Sequence, residues 1–220
     1  MSDIIVKDGH SHTPAVLPPA EEAVRNDNYK FAMWLYLASE VILFAVLIGG
    51  YAIFRVNEPE AVHNVHRSVG IGLVSFNTFL LLTSSWAMVM GLREIQRDNR
   101  QGMQRWLALT AVLGTVFLIL QYVEYTELAH LGITLNMPEN TEANRGILEA
   151  YSGFGMRFYA PTFFHGLHVA VGVFWCLLVM RRGARGDFSS KRYTGVEVFG
   201  LYWHFVDVVW IILFTLIYLI

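Results

Sequence analysis

"YWHFVDVVWIILFTLIYLI", residues 202–220, sets His204 and Asp207 three positions apart in a run that, Thr215 aside, is otherwise apolar or aromatic to the last residue. With the apolar residues just before it, the run covers 196–220, long enough to cross a bilayer core as helix, which takes about 20 residues. Two ionisable groups inside such a run are costly, so their presence has to be explained by what surrounds the segment. The rest of the chain has the same character: 55% of its 220 residues are hydrophobic and 15% charged, and the mean hydropathy is +0.42. That balance lies outside the range of a water-soluble domain.

Four further runs of spanning length precede the last one, at about 31–54, 69–91, 106–128 and 158–180. The fold class is therefore all-α, a polytopic membrane bundle of five transmembrane helices. Residues 1–29 are polar, carry Pro14, Pro18 and Pro19, and show neither the apolar core nor the cleavage site of a secretory signal. They are expected to form a retained, loosely ordered cytoplasmic arm, with 30–220 as the transmembrane domain. The "HSH" at 10–12 reads as a solvated pair of tail histidines. The segment 132–153 is the one long connection, acidic and rich in turn residues. No internal repeat or low-complexity tract is present.

Lysine and arginine set the orientation. Taking alternate sides of the five runs, twelve fall with the N-terminal arm, the 93–105 connection and the 181–192 connection, against four (Arg55, Arg67, Arg145 and Arg157) on the other side. The basic side is expected to be cytoplasmic, which puts the N-terminus inside and the C-terminus outside. Trp34, Trp86, Trp106 and Trp175 then fall toward the inner leaflet, as interfacial aromatics do. The lone Cys176 excludes an intrachain disulfide and sits in an apolar run as a small buried residue. A net charge of −2 offers no basic face for nucleic acid.

Depth follows from the helical rise. Glu40, ten residues after Lys30, lies about 15 Å into the first run, and Asp207, eleven residues after Val196, about 16 Å into the last. His165 and His168 reach the same middle third from the other side, and His204 is one turn from Asp207. Each charge near the bilayer centre costs about 2.5–3.5 kcal/mol on insertion scales, so these groups should face protein or one another. Spacing leaves their work open. Histidines at i and i+3 with a third on another helix could serve a metal or haem, but hydrogen bonds between helices are the preferred reading, with Gly166 and Ala170 beside the pair favouring close packing. Glu40 and Asp207 are either carriers in a proton relay or carboxyls pinned by a neighbour. Glu124 and Glu127, near the outer end of the third run, read as a hydrated interfacial pair.

Five segments in order carry a family resemblance: "FAMWLYLASEVILF", "NTFLLLTSSW", "LQYVEYTEL", "FFHGLHVAVG" with its His-Gly-x-His pattern, and "YWHFVDVVWIILFTLIYL". Together they resemble cytochrome c oxidase subunit III of the haem-copper oxidase superfamily, in its short five-helix bacterial type, and the likeness spans all five runs. The long form has two more helices, and it carries a histidine pair where Arg192 and Tyr193 stand here, so those histidines' contacts do not transfer. The resemblance implies a multi-pass subunit of the bacterial inner membrane with no catalytic centre, haem, copper or other metal of its own. It would pack on subunit I, with haem and copper in partner subunits, sustain proton uptake and bind phospholipid. It further implies that Glu40 is the family's membrane-buried glutamate, and that Arg182, with Arg181, holds a lipid phosphate. His204 and Asp207 would be polar pins for the last helix. Alternatives are subunit III of a quinol oxidase and a stand-alone proton-coupled transporter. The transporter should show repeats and helices broken near the midplane, and no proline lies in the central part of any run.

Overall fold

The computed structural model describes residues 18–57, 59, 71–130 and 154–220. These form five helices: α1 (Pro19–Asn57), α2 (Ile71–Gln96), α3 (Arg100–His130), α4 (Phe154–Ala184) and α5 (Thr194–Phe214), the last running into one π-helical turn, Thr215–Leu219. All five are long and apolar enough to span a membrane. The "HSH" histidines and the 132–153 connection lie outside the described residues, as do Arg67 and Arg145.

The helices outrun the apolar segments, chiefly at the basic end. α1 starts at Pro19, so the stretch from there to residue 29, expected within a loosely ordered arm, is helical instead. Proline suits the first helical position because its missing N–H would have no partner there, and Glu21 and Glu22 complement the positive end of the helix. The two short connections at this end close in the same way. After α2, Asp98 takes a left-handed φ of 61°, with Asp98 N–H bonded to Ile95 and Asn99 N–H to Glu94. After α4, Gly186 does so at φ 85°, with bonds to Gly183 and from Asp187 N–H to Arg182. Both are Schellman closures, which satisfy carbonyls that a helix end leaves open. The Asn99 side chain then caps α3, accepting from Gly102 N–H at 3.0 Å, and Asp98 accepts from Ser190 N–H at 3.1 Å, tying the two connections together.

α2 and α3 form an antiparallel pair, α4 packs on α3, and α5 lies centrally against α1, α2 and α4. Trp203 of α5 marks the point of closest convergence, fully buried. A Cβ added to Gly114 of α3 would lie 2.7 Å from its indole, and one added to Gly172 of α4 also 2.7 Å. Glycine at both positions therefore makes room for the largest side chain there is. On α2, Ser84 Oγ accepts from the indole N–H at 3.0 Å. Nearly two turns of α2 away, Thr78 Oγ1 accepts from Trp210 at 3.0 Å, which sets α5 antiparallel to α2 in a single register.

α1 is the least enclosed helix, and polar contacts hold it at three levels. At the basic end, Lys30 and Glu197 of α5 form an ion pair at 2.9 Å. Midway, Glu40 meets His168 of α4. At the far end, Arg55 donates to Leu216 O at 2.9 Å and to Ile220 O, where carbonyls of the last turn lack intrahelical donors and carry the negative end of the helix dipole. Nearby, Arg157 lies 4.6 Å over the Phe54 ring. Between these levels Leu37, Phe44 and Tyr51, spaced by seven, are the buried seam of α1.

The wedge around Trp203 leads to a quantitative expectation. Gly172→Val should lower the stability of the purified chain by about 1–3 kcal/mol, the usual cost of overpacking, whereas Gly72→Ala, where an added Cβ meets nothing within 4 Å, should cost no more than about 1 kcal/mol. Thermal unfolding in detergent, followed by tryptophan fluorescence, measures both; equal loss would refute the wedge.

Candidate functional site: a divided polar layer

The structure places the mid-membrane groups in three settings and not in one cluster. Glu40 and His168 form the first. Both are buried, and His168 Nε2 stands 3.3 Å from Glu40 Oε2, too far off axis to make a fully aligned hydrogen bond. The other ring nitrogen, Nδ1, is 2.8 Å from Phe164 O. A carbonyl only accepts, so Nδ1 carries a proton, and the neutral ring presents a bare Nε2 to the carboxyl. The contact is a close polar approach of α1 to α4.

Aromatic rings enclose this pair. Phe44 and Phe164 stand at 5.2 and 4.7 Å from the His168 ring, and Tyr202 stacks on it at 6.4 Å while donating its hydroxyl to His168 O at 2.9 Å. Tyr36, one turn before Glu40, directs its hydroxyl to the carboxyl.

His165, three residues before His168, turns to a different neighbour. It is fully buried, stacks on Trp210 at 4.8 Å and meets the edge of Phe117 at 5.8 Å. Neither ring nitrogen bonds to a described residue. Gly166 does allow close packing, as expected, since a Cβ there would lie 2.8 Å from Gln121 of α3.

The third setting joins α5 to α2. Ser85 Oγ lies 2.6 Å from His204 Nδ1 and also faces Asp207, whose buried oxygens have no well-aligned partner among the described residues. His204, on the α2 edge of α5, is only part-buried. Among the described residues no three His, Cys, Asp or Glu side chains converge as metal ligands would.

One expectation is overturned. Glu124 is not a hydrated interfacial residue: it is 5% exposed, packed toward the Tyr218 hydroxyl from the C-terminal turn, because the π turn carries Tyr218 inward over α3. Glu127, one turn on, is exposed as expected.

At the basic end a cleft of about 770 Å³ opens between the α1 extension, α4 and α5, lined among others by Arg25, Tyr29, Tyr36, Trp175, Arg182 and Arg192. Arg182 is exposed there, its Nε 3.3 Å from Asp187 and its guanidinium 5.4 Å from the Phe188 ring centre. Arg181 is exposed and does not line the cleft. Sequence reading missed Arg25, because its part in this cleft depends on helix α1 starting early. It also missed Ser84, Ser85 and Thr78, although "TSS" at 83–85 inside an apolar run was a visible signal.

Five spans with ionisable groups buried between them define a multi-pass helical membrane protein, and comparison with known proteins says which. The sequence profile described as "Cytochrome c oxidase subunit III" matches residues 15–220. "Cytochrome c oxidase subunit 3" of Synechocystis sp. is 36% identical over 190 residues, covering 86% of this chain and 74% of that protein. The protein of the same description from Thermostichus vulcanus is also 36% identical, over 84% of each chain. "Cytochrome bo(3) ubiquinol oxidase subunit 3" of Buchnera aphidicola is 30% identical, over 84% of this chain and 88% of its own. The chain belongs to the cytochrome c oxidase subunit III family, and so associates with other oxidase subunits in an enzyme complex of the respiratory chain.

The approach of Glu40 to the bare Nε2 of His168 gives the test of this site. Glu40→Gln should leave stability within about 1 kcal/mol of wild type, because the amide N–H donates to the bare Nε2 and a membrane hydrogen bond averages about 0.6 kcal/mol. His168→Leu should cost about 1–3 kcal/mol by stranding the carboxyl. Unfolding of the purified variants decides it, and equal losses would rule out the assigned tautomer.

Proposed function

We propose that the chain is the non-catalytic subunit III of a bacterial proton-translocating terminal oxidase that uses cytochrome c. It sits in the cytoplasmic membrane with its basic end and N-terminus inside and its C-terminus outside. In this reading it packs on subunit I, stabilises it and supports its proton uptake, while haem and copper reside in partner subunits. The observation that carries the reading is the family match along nearly the whole chain, together with ionisable groups that are used between helices: Glu40 with His168, and His204 and Asp207 with Ser85. Arrangements of that kind fix a scaffold. A quinol oxidase is the second reading, favoured by the relative from Buchnera aphidicola.

Purification from the native membrane tests the assignment. The chain should co-purify in equal amount with a haem-bearing subunit, be colourless when stripped from it, and belong to a complex oxidised by oxygen with reduced cytochrome c as donor. Stoichiometric haem on the isolated, folded chain would defeat the non-catalytic role, and turnover with quinol alone would select the second reading.

The same reading assigns the basic-end cleft to phospholipid. Its apolar walls suit acyl chains, and the guanidinium of Arg182 offers a phosphate paired donors that a lysine lacks; Arg181, outside the cleft, would at most add charge at the membrane surface. Arg182→Ala should reduce co-purifying phospholipid, counted by native mass spectrometry. An unchanged lipid count would remove Arg182 from that role.

A further inference from the structure

Three arginines from three parts of the chain line the basic-end cleft: Arg25 of α1, Arg182 of α4 and Arg192 of the connection into α5. Two of them are matched by carboxylates that line the same cleft. Arg25 lies 3.7 Å from Glu22, and Arg182 Nε lies 3.3 Å from Asp187. Arg192 is exposed, and its side chain has no ion pair among the described residues. The described lining therefore holds three positive charges against two negative ones, and the surplus sits on Arg192.

The backbone holds Arg192 in place. Its N–H donates to Ser189 O at 3.0 Å and its carbonyl accepts from Ser189 N–H at 3.1 Å, while the neighbouring Ser190 N–H is fixed to Asp98. A tied connection thus carries an uncommitted guanidinium to the cleft, which lowers the ordering cost of binding. Arg181 is exposed as well but lies outside the cleft. The cleft itself is amphiphilic along its length. From Glu22 to Tyr36 α1 rises about 21 Å, and the charged residues at one end give way to Met33, Trp175 and Leu178 toward the other. A free inorganic anion would use the charged end alone, whereas a charged headgroup with acyl chains uses both.

We propose that this cleft selects an anionic glycerophospholipid whose headgroup carries no amine, of the phosphatidylglycerol kind, and that Arg192 is the residue that sets the selection. The inference rests on the reading of the cleft as a phospholipid site, and goes beyond it in naming the lipid class and the deciding side chain. Phosphatidylethanolamine is neutral overall: its phosphate would suit Arg192, but its ammonium would meet surplus positive charge, because both carboxylates are already engaged by arginine. Phosphatidylglycerol brings one negative charge to a surplus of one positive charge. The guanidinium of Arg192 can take two phosphate oxygens at once, with no carboxylate to give up first.

The experiment uses the intact complex. It is incubated in mixed micelles holding equal amounts of dioleoylphosphatidylglycerol and dioleoylphosphatidylethanolamine, and the lipids retained on this chain are counted by native mass spectrometry once the chain is released in the gas phase. Phosphatidylglycerol should exceed phosphatidylethanolamine by about fivefold, the effect of one uncompensated arginine at a headgroup. Arg192→Gln should bring the ratio close to even. Arg181→Gln removes the same charge outside the cleft and should leave the ratio where it was. The Arg192 side chain holds no other element in place, and a ratio read within one sample does not depend on how much chain is recovered. Even retention by the wild type, a ratio unmoved by Arg192→Gln, or one lowered as far by Arg181→Gln would overturn the proposal while leaving the phospholipid reading intact. Retention of neither lipid would overturn both.

Discussion

The indole of Trp203 fills the point at which four helices come within reach of one another. Its faces press on Gly114 and Gly172 and its N–H bonds Ser84, so the spacing of α3 and α4 and the register of α5 on α2 are set by one side chain. In a membrane there is little hydrophobic force between helices to do this, since lipid tails are as apolar as leucine; close packing and hydrogen bonds must do it. Once Trp203 is seated, Trp210 reaches Thr78 and His204 reaches Ser85 without further adjustment. The ionisable residues of α5 are thus neighbours of the wedge and depend on it for their partners.

α1 is held by a different means. Only a narrow seam of it is buried, and the ion pair of Lys30 with Glu197, the Glu40–His168 pair and the clasp of Arg55 on the C-terminal turn fall at its two ends and its middle. A helix pinned at three depths cannot slide by a turn without breaking all three. The middle pin differs from the others because it is buried and joins α1 to α4, while the bond to Phe164 keeps the imidazole from rotating. Fixing one nitrogen of the ring is what makes the other available to Glu40.

The basic end gathers the other polar features. Both short connections close by Schellman turns and are tied by Asp98 and Ser190, and the early start of α1 brings Arg25 over α4 to face Arg182 and Arg192 across a cleft. Charge crowded at this end, and scarce at the other, is the same asymmetry from which the orientation was read.

The sequence by itself determined the five spans, because about 20 apolar residues have no other stable arrangement than a helix across a bilayer. It also determined that Glu40, His165, His168, His204 and Asp207 share one layer, since depth is a matter of counting residues along a helix. Which of them meet could not be counted, because that depends on how each helix is rotated about its own axis. Helix rotation was decided by packing, chiefly by the fit of Trp203 between two glycines. It turned His168 toward α1 and His165 toward α5, although the two are three residues apart. The burial of Glu124 was hidden for the same reason: a π turn at the far end of the chain brings Tyr218 over it, and nothing in the local sequence of α3 records that approach.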